Sequence, residues 1–324
     1  MSNLQTLGRY LGYCNPVNLT KEKKRFFSSL EKGIQYNPVF DYRELNFDKR
    51  ILKKEIRELY KSTGRFREIL EDSAKRYEII LKMLEQRGKN FTHYSRLIFP
   101  APTRSEIKTA RDILRGVKRK KTAKYYNAET TAEKLKEHAG RYGWEVHVGR
   151  SISKMKTVPS KRRLVISENA MFSNEELRRL RWHEIETHIR REFNNRKLPK
   201  EIRNHFNYIE TEEGLAVKME ELHGCREQLP VYAARLLAVD SAQRKSFFEV
   251  YMMLTKWLHS EAAFMIAARA KRGMVDTSKP GGLTRDKIYL SGKIKVERFL
   301  RKGKMKDLFL GKIGVEDVKF VKSI

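Results

Sequence analysis

Apolar positions in the first third of the chain recur at helical spacing. Ile51, Leu52, Ile56, Leu59 and Tyr60 form one stripe. Phe66, Ile69, Leu70, Tyr77, Ile80, Leu81 and Leu84 form another, with Gly64 between the two and Gly88 near the end of the second. Pro100-Ala101-Pro102 interrupts the pattern and opens a new region. Thr130 through Tyr142 reads as helix, with Gly143 after it. Trp144, Val146 and Val148 then alternate as a half-buried strand, and Leu164-Val165-Ile166 reads as a second strand after a Lys/Arg-rich connection. Ser173 and Glu176 have the S-x-x-E spacing of a capping box and start a helix whose buried side carries Leu177, Leu180 and Ile185. Beyond Glu213 the chain is helical again. The stretch from Ser241 to about Ala270 carries Phe247, Phe248, Tyr251, Leu254, Trp257 and Leu258, which suit a core or a site wall. Gly273, Pro280, Gly281 and Gly282 form a loop, and a short helical segment and a basic tail follow Thr284. The pattern predicts an α+β, mostly helical protein. A helical N-terminal region (1–95) packs on a domain (96–324) that contains a small β-sheet.

Composition narrows the class. The chain has 324 residues, of which 40% are hydrophobic; that is enough for a real core and excludes a disordered polar tail. Lys plus Arg number 70 and Asp plus Glu 40, a net charge of +30. Such an excess attracts polyanions, whether nucleic acid, anionic lipid or acidic protein segments. It is spread along the chain and locates no site. The densest run, Lys118-Arg119-Lys120-Lys121 followed by Tyr125-Tyr126, suits phosphate contacts plus stacking, and equally an exposed loop or helix end. Cys14 and Cys225 lack metal-type spacing, so reduced thiols are expected. No apolar run is long enough for a signal peptide or a bilayer span, which makes the cytoplasm the expected compartment and a membrane partner unexpected.

The chemistry concentrates in His183-Glu184-Ile185-Glu186-Thr187-His188. Two imidazoles on a helix, with a glutamate directly after the first, are the parts of a zinc hydrolase: the histidines hold the ion and Glu184 handles the proton of a water. The second histidine follows the first by five residues. On a regular helix such positions point about 140° apart and cannot share an ion. A single wide π-turn would absorb the extra residue, so a distorted helix is predicted between His183 and His188. A third ligand must come from elsewhere. Thr211-Glu212-Glu213-Gly214-Leu215-Ala216 opens another helix and offers a carboxylate, although a capped helix start with acids in its first turn has the same composition. Composition does not choose between Glu212 and Glu213, and His205 and His223 are further candidates.

These two motifs in this order resemble the QEGLA-motif metallopeptidase family, which includes the animal microtubule-associated tyrosine carboxypeptidases. Asn15-Pro16-Val17-Asn18, Tyr36-Asn37-Pro38, and Gly282-Leu283-Thr284-Arg285-Asp286 with Tyr289-Leu290 and Gly292 extend the likeness from about Asn15 to about Leu300. The resemblance implies a zincin-like core, Zn2+ held by His183, His188 and Glu213, and Glu184 as general base and acid. Two positions depart from the pattern. Glu186 stands where the family commonly has a small residue, and Glu212 stands where the bacterial motif has Gln.

The resemblance further implies removal of a C-terminal residue, tyrosine or another aromatic, from a peptide or protein. An acidic, tubulin-like tail would match the basic surface. Such an enzyme needs a cation for the terminal carboxylate, and Arg269 and Arg272, before the glycine-rich loop, are the candidates, with Arg285 a further one. The competing readings are a basic nucleic-acid-binding protein with a structural or inactive metal site, and a zinc endopeptidase.

Overall fold

The computed structural model describes residues 10–116, 125–151 and 154–324, so the basic run at 118–121 lies outside the described residues. The fold is α+β and mostly helical. Contacts divide the chain into two units, Met1–Gly116 with Pro230–Ile288, and Val117–Leu229 with Tyr289–Ile324.

The first unit is built from the apolar stripes. Leu52 and Ile56 are buried on helix Lys49–Tyr60, which starts where the Asp48 carboxylate accepts the Arg50 N–H at 2.7 Å. Ile51, expected on the same stripe, faces outward instead, because it lies one position before Leu52 on the helix. The second stripe becomes helix Arg67–Glu85, with Leu70, Ile80, Leu81 and Leu84 buried. Past Pro102, helix Arg104–Arg115 opens with a full capping box between Thr103 and Glu106. The aromatic stretch expected as one helical region divides into Phe247–Leu254 and Ser260–Ala270. Each piece has its own N-cap, Ser246 in a capping box with Glu249 and His259 accepting from Ala262. Side chains that capture backbone donors in this way stop one helix and start the next. The aromatics do form core: the rings of Tyr251, Phe264 and Phe247 lie 4.7, 5.2 and 5.3 Å from that of Phe26.

The second unit holds the sheet. Strands β1 (Tyr125–Tyr126), β2 (Glu145–Gly149), β3 (Met155–Val158), β4 (Arg163–Ser167) and β5 (Phe172–Ser173) follow in chain order. Three of them form a sheet in the order β2-β4-β3, with β2 parallel and β3 antiparallel to the central β4, while β1 pairs with β5. Both expected strands are present: Val146 and Val148 are partly buried on β2, opposite Leu164 and Ile166, which are buried on β4. β3 lies inside the Lys/Arg-rich connection, where no strand was expected. One face of the sheet packs with helix Ala128–Gly140 and the motif helix in a core that includes Leu135, Trp144, Leu164, Ile166, Leu180 and Ile185.

The motif helix begins at Asn174, where the Ser173 hydroxyl accepts the Glu176 N–H at 3.1 Å. Only this half of the expected box forms, because the Glu176 carboxylate is taken by Lys154 Nζ at 2.8 Å. Helix Ile209–Leu222 lies beside the motif helix and is itself in backbone contact with helix Ile288–Leu300. A Cβ on Gly214 would stand 2.0 Å from the Gly292 carbonyl carbon, and one on Gly292 would stand 2.1 Å from the Glu210 oxygen. Only glycine at both positions permits that approach. Both cysteines are buried and unbridged. Among the described residues, no helix is long and apolar enough to cross a membrane.

Candidate metal centre

The motif segment is not a regular helix. Asn174–Leu180 is α-helical, Arg181–Ile189 is a π-helix, and Arg190–Asn195 is α-helical again. The Arg190 N–H reaches the Ile185 carbonyl five residues back, and the Thr187 hydroxyl donates to the Trp182 carbonyl at 2.8 Å, also five back. The widened turn places one imidazole over the other. The rings of His183 and His188 are 4.9 Å apart at 70°, where a regular helix would have turned them away from each other.

Glu213, in the first turns of helix Ile209–Leu222, completes the cluster. Its Oε2 lies 3.7 Å from His183 Nε2 and 3.8 Å from His188 Nε2. One ligand atom from each of the three residues falls within 4.8 Å of the others, the one such trio found among the described residues. Atoms bound to one tetrahedral zinc stand roughly 3.4 Å apart, close to these separations.

The surroundings suit a cation. His183 Nδ1 meets the Glu220 carboxylate at 2.7 Å, and Arg179 Nη1 fixes the same oxygen at 3.1 Å. That contact assigns the proton of the neutral ring to Nδ1 and turns Nε2 toward Glu213, the carboxylate–histidine arrangement of metal sites. Burial by itself would push the His183 pKa down. Its contacts with Glu213 and Glu220 and the charge of Glu184 outweigh burial and raise it well above the ordinary value. The protein field at this point therefore favours positive charge, as a metal ion would supply.

Adjacent glutamates have different neighbours. Glu213 faces the two Nε2 atoms, whereas Glu212 Oε2 lies 3.6 Å from His188 Nδ1 and is backed by Lys312 at 3.9 Å, with Arg191 3.7 Å from Oε1. Burial raises the Glu212 pKa; Lys312, His188 and Arg191 oppose it and bring the carboxyl down to about 2. Arg191, fully buried on the motif helix, also donates to the carbonyls of Gly311 and Ile313 at 3.0 and 2.6 Å.

Glu186 sits inside the π-turn, buried, where Arg141 Nη2 reaches it at 2.6 Å and the Tyr142 hydroxyl at 2.8 Å. These partners stabilise a large acid at that position. Glu184 is half-buried beside His183 and makes no hydrogen bond or ion pair among the described residues. Of the other candidates, His223 stacks on Trp182 with centroids 3.2 Å apart, and neither it nor His205 joins the cluster. Sequence reasoning missed Glu220, Arg179 and Lys312. Glu220 follows Glu213 by seven residues, two helical turns, so its place on the same face was there to be read.

Arg269 and Arg272 belong to the first unit. Arg269 holds the buried Asp286 with two parallel bonds, one of them Nη2 to Oδ1 at 3.0 Å. Burial lowers the Arg272 guanidinium to about 10, with Arg269 and Arg285 adding to the effect and Asp286 opposing it.

Fold and site together define a mostly helical α+β protein with a candidate single-ion centre of two histidines and one glutamate. The chain belongs to the microtubule-associated tyrosine carboxypeptidase family, whose sequence profile matches residues 24–324. It is 34% identical over 149 residues to microtubule-associated tyrosine carboxypeptidase 1 of Mus musculus, covering 42% of this chain and 31% of that protein. Against the Homo sapiens protein of the same name it is 34% identical over 151 residues, again 42% of this chain and 31% of the relative. The aligned segment thus spans about a third of each relative.

Proposed function

We propose that the protein is a zinc-dependent carboxypeptidase that removes a C-terminal residue, tyrosine or another aromatic, from a peptide or protein of the cytoplasm. The observation that carries this reading is the convergence of His183, His188 and Glu213 on one point across a π-turn. Membership of a family named for tyrosine carboxypeptidases supports the choice of reaction. The basic surface, with its net charge of +30, suits an acidic, tubulin-like tail as substrate.

His183, His188 and Glu213 hold the ion, with Glu220 orienting the first ring. Zinc, when bound, supplies Lewis acidity and lowers the pKa of a coordinated water. Glu184 accepts the proton of the attacking water and delivers it to the leaving amine. Its freedom from hydrogen bonds and ion pairs among the described residues suits a group that must exchange protons with substrate. Arg269 and Arg272 receive the terminal carboxylate. The sheet beside the motif helix suits a zincin-like arrangement, in which an edge strand holds an extended peptide by main-chain bonds.

The test is a matched pair of tyrosine-ended peptides, one with a free and one with an amidated C-terminus, incubated with and without chelator. Cleavage of the free form alone, abolished by chelator, is expected. Equal cleavage of both makes the enzyme an endopeptidase or a different exopeptidase, and cleavage that survives chelator removes the metal from the account. Glu184→Gln should retain zinc by elemental analysis and lose activity by about 100- to 10,000-fold. Retained turnover would exclude Glu184 as the proton carrier.

A further inference from the structure

A cleft of about 650 Å³ opens in the first unit along helix Arg104–Arg115. The helix buries Ala110 and Leu114 on one side. Toward the cleft it presents Arg104, Lys108, Arg111 and Arg115, at intervals of four, three and four residues, which make one continuous stripe. Arg244 adds a fifth cation from beyond the end of helix Leu229–Ala242. Two acids share the lining, and each is neutralised inside it: Asp112 by Arg115 at 3.3 Å, and Asp240 by Arg244 at 2.7 Å. Arg104, Lys108 and Arg111 are exposed and make no ion pair among the described residues. Three like charges on successive turns of one helix repel one another, and an anionic ligand lying along them relieves that repulsion.

We infer that this cleft docks an acidic polypeptide segment in extended form. The stripe runs over eleven helical steps, roughly 16 Å, which an extended peptide covers with about five residues. Alternate side chains of such a peptide repeat at roughly 6.6 Å, near the 5–6 Å spacing of neighbours on a helix face. Nucleic acid fits less well. Among the described residues no aromatic side chain lines the cleft, so they offer bases nothing to stack on, while the wall carboxylates Asp112 and Asp240 are already paired. To a peptide the same carboxylates offer acceptors for main-chain N–H groups, and Pro102 and Ile107 offer apolar wall. The inference does not depend on the metal site, since every lining residue belongs to the first unit.

The test uses the full chain and fluorescence anisotropy of a labelled twelve-residue peptide of alternating Glu and Gly, free of tyrosine. Wild-type protein should bind it with an affinity that falls as salt rises. The triple variant Arg104→Glu/Lys108→Glu/Arg111→Glu should lose at least tenfold, and the milder Lys108→Gln/Arg111→Gln should lose about threefold with an unchanged melting temperature. The control Lys53→Glu/Lys54→Glu/Lys89→Glu changes net charge equally at exposed positions outside the cleft and should bind as wild type. Equal loss in both triple variants would show that binding follows net charge and would overturn the assignment. So would absence of binding by the wild type. A twelve-nucleotide oligo-dT that binds more tightly than the peptide, and is lost with the cleft variant, would reassign the cleft to nucleic acid.

Discussion

The pocket around His183 and the pocket around Asp286 bury charge of opposite sign. In the first, Glu213, Glu220 and Glu184 surround an imidazole and raise its pKa well above the ordinary value. In the second, Arg269, Arg272 and Arg235 act on one aspartate that is 2% exposed, and together they overcome burial and hold its carboxyl far below the usual range. One environment favours positive charge on the imidazole and the other the negative charge of Asp286 itself. A buried charge is tolerable only with a partner. In the first the buried positive charge is answered by carboxylates, and in the second the buried carboxylate is answered by guanidiniums.

The largest expected effect breaks the first pocket. Glu213→Ala removes a ligand and should reduce zinc in dialysed protein from near one per chain to below about a tenth. Elemental analysis measures this, and full occupancy in the variant would exclude Glu213 from the site. The second cluster is tested by Asp286→Ala, which leaves the half-buried Arg235, Arg269 and Arg272 without their buried carboxylate and should cost about 3 kcal/mol in urea unfolding. A loss below about 1 kcal/mol would mean that solvent already shields those cations.

Glu220→Gln sharpens the comparison without emptying either pocket. It keeps an acceptor for His183 Nδ1 and removes the negative charge, so zinc affinity should fall about 10- to 100-fold by chelator competition. An unchanged affinity would show that the charge of Glu220 does not tune the site.

The smallest expected effect is the response to acid. Asp286 and Glu212 both have pKa values below those of the unfolded chain, whose reference values are 3.8 and 4.5. A carboxylate lowered on folding stabilises the fold above its unfolded pKa, and that contribution is lost as pH falls through the folded value. The urea midpoint should therefore decline below about pH 4.5, and Glu212→Gln should flatten the decline over the interval down to about 2. A midpoint insensitive to pH across that interval would contradict both assignments.

How much could be read beforehand depended on range. The five-residue gap between the histidines demanded a wide turn by geometry alone, and the π-helix over Arg181–Ile189 supplies it. Stripes such as Leu52 with Ile56, and the alternation of Val146 and Val148, announced their elements because the pattern lies within a few residues. β3 was hidden because Met155-Lys156-Thr157-Val158 is short and carries a lysine; its backbone pairing with β4 makes it a strand. Glu212 and Glu213 could not be told apart by composition, since the Lys312 that sits by Glu212 comes from a hundred residues further on. The partners of Glu186 were equally remote, Arg141 and Tyr142 from beyond the end of another helix. Gly214 and Gly292 were visible as motif letters, but the reason for them, two backbones in contact, exists only in the folded chain.

The π-turn sets the phase of everything after it on the same rod. Removing a single residue between the two rings would give the shorter interval of a regular helix and would leave both able to face one ion. It would also rotate the following segment by about 100°, taking Ile189, Arg191 and Asn195, all with no exposed surface, out of the interior. The extra residue thus lets one continuous rod point both rings at Glu213 and its later side chains into the core.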